Sequence, residues 1–143
     1  MEARALTSCS YCQPKTETVL WQGTRCRVIL ADEPGFTGWC RVVWQDHVRE
    51  FSDLDGKQRD HVMSVVAALE RILIAELKPV KMNFAALGTA APHLHFHMIP
   101  RFEHDATFPE PVWTERRHRN VQPDAQGLAV RLRASLTAAL GEC

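Results

Sequence analysis

The sequence has no excess of charge of either sign, with 17 basic residues against 17 acidic ones. That balance offers no electrostatic case for a nucleic-acid binder or a membrane-surface protein, whereas a small phosphorylated ligand needs only a local positive pocket. No apolar run approaches the length of a membrane span, and Met1-Glu2-Ala3-Arg4 is not followed by a signal-peptide core. A soluble, cytoplasmic protein is therefore expected. Internal repeats are absent, and no second domain is apparent. The 143 residues are expected to form a single domain with its own core. An even set of cysteines is also lacking. Five of them in a chain of this kind argue against a disulfide framework and point to free thiols or a metal site.

What is present is concentrated in Pro92-His93-Leu94-His95-Phe96-His97-Met98-Ile99-Pro100-Arg101. The histidines alternate with Leu94, Phe96 and Met98, a period-two pattern that predicts three imidazoles on one face of a strand and core on the other. An unperturbed imidazole pKa of about 6.5 leaves much of the ring neutral and nucleophilic near pH 7. Neighbouring rings can then divide a group transfer: one attacks, another delivers a proton, a third orients the first. The same spacing also points ring nitrogens at one metal ion, and spacing alone does not separate the two readings. His61, His104 and His118 stand alone and read as structural.

The run from His93 to Ile99, with Pro100-Arg101 behind it, resembles the signature of the histidine triad (HIT) superfamily, His-φ-His-φ-His-φ-φ with φ apolar, in its hydrolase branch. Weaker similarity, to diadenosine tetraphosphate hydrolase-like members, covers a core from about Cys9 to Arg101. In the extension over residues 102–143, Phe108-Pro109-Glu110-Pro111-Val112-Trp113 is similar to a segment of bacterial HIT hydrolases. The resemblance implies a homodimer, which composition does not.

Near the N-terminus, Cys9-Ser10-Tyr11-Cys12 is a Cys-x-x-Cys knuckle placed too early for a thioredoxin-type site. It reads as half of a zinc site or as two small buried residues. Some HIT hydrolases complete such a pair with two histidines. By that resemblance the ligands of a structural zinc are Cys9, Cys12, His47 and His93. Thr18–Trp21 and Arg25–Leu30 read as a hairpin across Gln22-Gly23-Thr24. Asp32 then matches the acidic residue that holds ribose hydroxyls in the family, although it also reads as a turn-initiating aspartate. A third strand runs from Trp39 to Trp44. Many HIT proteins carry a histidine at its start; here the residues are Gly38-Trp39, and that fourth histidine is missing.

A long helix is expected from Asp53 to about Leu77, capped by Ser52 or Asp53 and striped by Val62, Val66, Leu69, Leu73 and Leu77. Lys78-Pro79 stops it. The strand Lys81–Leu87 leads into Gly88-Thr89-Ala90-Ala91, a small-residue loop whose backbone N–H groups can approach phosphate oxygens. The resemblance adds Asn83, Gly88 and Thr89 as substrate-binding positions. Beyond Arg101, the proline-rich segment from Phe108 to Trp113 predicts an extended, surface-hugging stretch with aromatic anchors, and Arg116-Arg117-His118-Arg119 a solvated basic run. Leu128, Leu132, Leu136 and Leu140 predict a C-terminal amphipathic helix that docks on this domain or on a symmetry mate. The element order gives an α+β fold, an antiparallel meander of about five strands with one long helix and a C-terminal helix, the layout HIT proteins share.

The resemblance implies hydrolysis or transfer at the α-phosphate of a nucleotide: His95 attacks, His97 assists the leaving group, and His93 orients His95 or binds zinc. No metal is required for this chemistry. Candidate substrates are a dinucleoside polyphosphate such as diadenosine tetraphosphate, a nucleoside phosphoramidate and an adenylylated amine. Two other classes stay open: a metalloenzyme holding one ion on His93, His95 and His97, and a nucleotide-binding protein without turnover.

Overall fold

The structure is a computed structural model that describes residues 6–31, 33–118 and 126–142. Five antiparallel strands form one sheet: β1 (Thr18–Gln22), β2 (Cys26–Leu30), β3 (Cys40–Trp44), β4 (Lys81–Ala85) and β5 (His95–Arg101). Their order across the sheet is β1-β2-β3-β5-β4, which sets the histidine strand between β3 and β4. Two helices, α1 (Gly56–Leu77) and α2 (Leu128–Leu140), complete the α+β fold. No helix among the described residues is long and apolar enough to cross a membrane.

Alternation decides what each side of the sheet carries. Val28, Val42, Phe96, Met98 and Met82 point to one side, where they meet Val62, Val65, Leu69 and Leu73 of α1 and Leu128, Leu132 and Leu136 of α2 in a continuous apolar core. A bulge between Val19 and Trp21 lets the consecutive residues Leu20 and Trp21 both enter that core. The opposite side carries Arg27, Arg41, Asn83, His95, His97 and Arg101, interleaved with Ile29, Val43 and Ile99.

The long helix starts later than its sequence pattern suggests. Phe51–Asp53 form a short 3-10 turn, and Asp55 caps α1. The reason is reciprocal: the Asp55 carboxylate accepts from the Gln58 backbone N–H, while the Gln58 side chain accepts from the Asp55 N–H. At the far end Lys78 turns left-handed, with φ 49°, ahead of Pro79.

The C-terminal helix docks on its own chain. It packs on α1 and β1, the Trp21 indole donates to the Gly141 carbonyl at 2.9 Å, and Arg133 donates to the Val19 carbonyl at 3.1 Å. The segment after β5 is not simply extended. Arg101 forms a bidentate pair with Asp105 at 2.7 and 3.1 Å and also donates to the Glu110 carbonyl at 2.8 Å. Asp105 in turn accepts from the backbone N–H groups of Phe102, Thr107 and Phe108. Trp113, expected as an anchor, is 67% exposed.

Candidate active site and metal-ligand cluster

Only two of the three histidines lie in the strand. β5 begins at His95; before it, Leu94 bridges to Val48 and Trp44 through its backbone, and His93 precedes that bridge. The expectation of three histidines within one strand is therefore corrected at His93, whose ring still lies on the same side as His95, with Tyr11 in contact with both. The His93 ring turns toward the N-terminal knuckle, while His95 and His97 project from the polar side of the sheet, opposite Val43 and Arg41 respectively.

His93 still touches the pair, but through its backbone. Its carbonyl oxygen lies 2.6 Å from His95 Nδ1. A carbonyl only accepts, so Nδ1 carries the proton and His95 Nε2 keeps a lone pair. That nitrogen lies 3.2 Å from His97 Nε2. Burial holds the His95 ring below the usual imidazole range, with the nearby Arg41 charge adding to it and the His93 carbonyl opposing. His97 is pushed down to about 4, first by burial and then by the charges of His95 and Arg41. Both shifts favour the neutral ring near pH 7, and each neutral ring keeps one unprotonated nitrogen.

The mouth of the site contains Tyr11 and Arg41, neither of which the sequence reading singled out as a site residue. The Tyr11 ring lies over His95 with centroids 4.6 Å apart. Arg41, paired with Glu33 at 2.7 Å, reaches His97 Nδ1 at 3.4 Å, and the Trp39 indole reaches the same nitrogen at 3.1 Å. Tyr11 and Arg41 also line a cleft of about 790 Å³ together with Ser10, Thr16, Ile29 and Leu30. The only signal for Arg41 in the sequence was a charge inside an otherwise apolar strand. Its register opposite His97 comes from the β3–β5 pairing.

The expected substrate-binding positions fare differently. Gly88 adopts φ +81°, and a Cβ there would stand 3.8 Å from the His95 ring, so the small-residue loop lies against His95. Thr89 is exposed in that loop. Asn83 sits on the same side of the sheet, but its side-chain oxygen accepts from Arg101 at 2.9 Å, which ties it to the Arg101–Asp105 network. Asp32 lies outside the described residues.

A second centre adjoins the first. One ligand atom from each of Cys9, Cys12, His47 and His93 falls within 4.8 Å of the others. Cys9 Sγ is 3.4 Å from His93 Nδ1, and Cys12 Sγ is 3.4 and 3.5 Å from the Nδ1 atoms of His47 and His93. Four donors about 2.0–2.3 Å from a shared centre stand about 3.3–3.8 Å apart in a tetrahedron, so these residues fit zinc. His93 Nε2 donates to the Trp44 carbonyl at 2.6 Å, which leaves Nδ1 as the ligand nitrogen. Arg27 holds the knuckle in place: it pairs with Glu17 at 2.7 Å and donates to the Tyr11 carbonyl at 2.9 Å.

Comparison with known proteins bears on this geometry. The family model for the HIT domain matches residues 13–104. Among solved structures, a histidine triad protein from Bradyrhizobium japonicum superposes with a TM-score of 0.72 at 27% identity, over 84% of this chain and 90% of that one. A histidine triad protein from Marinobacter aquaeolei VT8 gives 0.72 at 26% identity, over 86% and 90%. A zinc-bound histidine triad family protein from Mycobacterium smegmatis shares the fold, with a TM-score of 0.64 at 20% identity over 92% and 94%. No curated protein sequence matches the chain significantly.

Proposed function

Because the chain belongs to the HIT domain family, we propose that it is a nucleotide hydrolase or transferase that works through a covalent nucleotidyl-histidine on His95. The observation that carries this reading is the 2.6 Å contact between His95 Nδ1 and the His93 carbonyl, which aims an unprotonated Nε2 outward beside His97. In the first step His95 Nε2 forms a bond to the α-phosphorus, and the bond from phosphorus to the leaving group breaks with its electron pair. The His95 ring becomes positive, and its Nδ1–H bond to the His93 carbonyl strengthens accordingly. His97, through its one N–H, hydrogen-bonds the phosphoryl oxygen, beside the departing atom. Water then attacks phosphorus, the P–N bond breaks, a proton passes to solvent, and nucleoside monophosphate leaves. The intermediate divides one hard displacement into two easier ones.

Tyr11, Arg41 and the cleft beside them support a nucleoside held next to His95, with the Gly88 loop at the phosphate and Thr89, Asp32 and Asn83 as further contacts. A dinucleoside polyphosphate is the preferred substrate, ahead of a phosphoramidate or an adenylylated amine. Cys9, Cys12, His47 and His93 are proposed to hold a structural zinc. When bound, it would supply four coordinate bonds that tie the knuckle to the strand carrying His95. This assigns the His93 ring to a different centre from His95 and His97, so one ion on all three rings has no geometric support. A homodimer is supported by β4, an edge strand whose surroundings expose Val80, Phe84, Leu87 and Ile74. Docking of α2 on β1 and α1 supports reading residues 1–143 as one domain.

The deciding experiment is base-quenched mass spectrometry after brief mixing with diadenosine tetraphosphate or an adenosine phosphoramidate. A nucleotidyl adduct is expected on the wild type, with and without chelator, and not on His95→Ala. Absence of both adduct and monophosphate release would move the protein to binding without turnover. Monophosphate released only without chelator would favour a metal-dependent reaction. For the zinc itself, metal analysis should find about one ion per chain, lost in Cys12→Ser.

A further inference from the structure

At the start of β3, where a fourth histidine was expected by resemblance and is missing, the structure has Trp39. It is buried, edge-on to Phe36 with centroids 5.4 Å apart, in a small cluster with Ile99 and Ala106. Gly38, at φ +79°, makes the turn that delivers it, and a Cβ at Gly38 would collide with Leu77. The indole ring stands perpendicular to His97 at 86°, with Nε1 at 3.1 Å from His97 Nδ1.

An indole N–H donates and never accepts, and the same holds for the guanidinium of Arg41, whose Nε approaches the same imidazole nitrogen at 3.4 Å. A ring nitrogen facing two donors must hold its lone pair toward them. The proton of neutral His97 is then on Nε2, which faces His95 Nε2 at 3.2 Å. Four groups thus form one chain with a single direction: Trp39 donates to His97, His97 to His95, and His95 to the His93 carbonyl at 2.6 Å. Each bond in such a chain polarises the next. In the reverse arrangement the Nδ1–H of His97 would face two other N–H groups, and two lone pairs would face each other between the histidines.

We propose that Trp39 is a positioning residue that fixes His97 in its Nε2–H tautomer, so that the one N–H of His97 is aimed at the phosphoryl oxygen when substrate displaces it from His95. The proposal rests on the nucleotide-transfer reading above. Its role is distinct from that of a histidine at the same position, since an indole can hold only one tautomer of its neutral partner.

The test replaces the donor and keeps the ring. Trp39→Phe removes the N–H; incorporation of benzothienylalanine at position 39, where sulfur takes the place of N–H at nearly the same volume, guards against a folding defect. Ring ¹H–¹⁵N correlation spectra of the free protein at pH 7, assigned with His97→Gln, read the tautomer directly. The wild type is expected to show His97 protonated at Nε2 and bare at Nδ1. Both replacements should leave the weaker Arg41 donor at 3.4 Å and raise the share of the Nδ1–H tautomer above the wild type's, with a kcat reduced about tenfold at nearly unchanged KM, the equivalent of one neutral hydrogen bond. A wild-type His97 carrying its proton on Nδ1 would overturn the proposal, and so would a replaced protein that keeps the wild-type tautomer and kcat. If the wild type turns over no nucleotide, the functional reading fails while the spectra still decide what Trp39 does to His97.

Discussion

The two sides of the sheet bury their side chains by different means. Toward the helices, Val28, Val42, Met98, Leu69 and Leu73 are sealed by shape and volume alone. On the other side Arg27, His93, His95, His97, Arg101 and Asp105 are buried almost as deeply, and each is met by a directed partner. An apolar contact tolerates a neighbour of similar size, whereas a buried donor requires an acceptor at one place. The helix side therefore sets whether the protein folds. The polar side sets where a few nitrogen atoms point.

Substitutions should separate these two kinds of burial. The largest effect is expected from His95→Ala: turnover falls by at least about 10⁴-fold, read by monophosphate release, with the unfolding midpoint little changed. Next comes Arg101→Met, which leaves the Asp105 carboxylate buried without its partner and should cost about 3–5 kcal/mol in denaturant unfolding. Leu69→Ala, on the helix side, should cost about 2–5 kcal/mol by the same measurement, with kcat per folded molecule retained. If Leu69→Ala changed kcat more than stability, the division between the sides would fail.

The smallest effect is one of pH. Burial alone would raise the Asp105 carboxyl, but the Arg101 guanidinium and the N–H groups of Phe102 and Thr107 outweigh it and hold the group below its ordinary value of 3.8. The unfolded chain then binds the proton more readily than the folded one. This contribution to stability is complete well above pH 3.8 and is lost as pH falls through that value toward the lower folded one. Acid unfolding of the wild type should show this loss, and Asp105→Asn should lack it.

The fold was legible because it is written in periods. Alternation marked the strands, and leucines at fourfold spacing marked α2, in an order that leaves few topologies open. The start of α1 was not, because Ser52, Asp53 and Asp55 are all good caps and the choice turned on Gln58 three residues on. At the site, the alternation of His95 and His97 is local and could be read. The partners of the His93 ring depend on where Cys9, Cys12 and His47 arrive, and the importance of Arg41 and Trp39 depends on strand register. Arg101 looked like the end of a motif, while its five side-chain bonds to the following segment and to Asn83 emerge only when residues 102–110 fold around it.

One of the sheet's two borders has already been spent within the chain. At β1 the Val19 carbonyl is taken by Arg133, and α2 lies alongside, tethered by Trp21 to Gly141. Strand addition is left to the β4 border, so in polymer terms the molecule is monofunctional. If a second copy adds at that border, each copy uses the other's free edge, and growth would end at the pair instead of running on into a fibre.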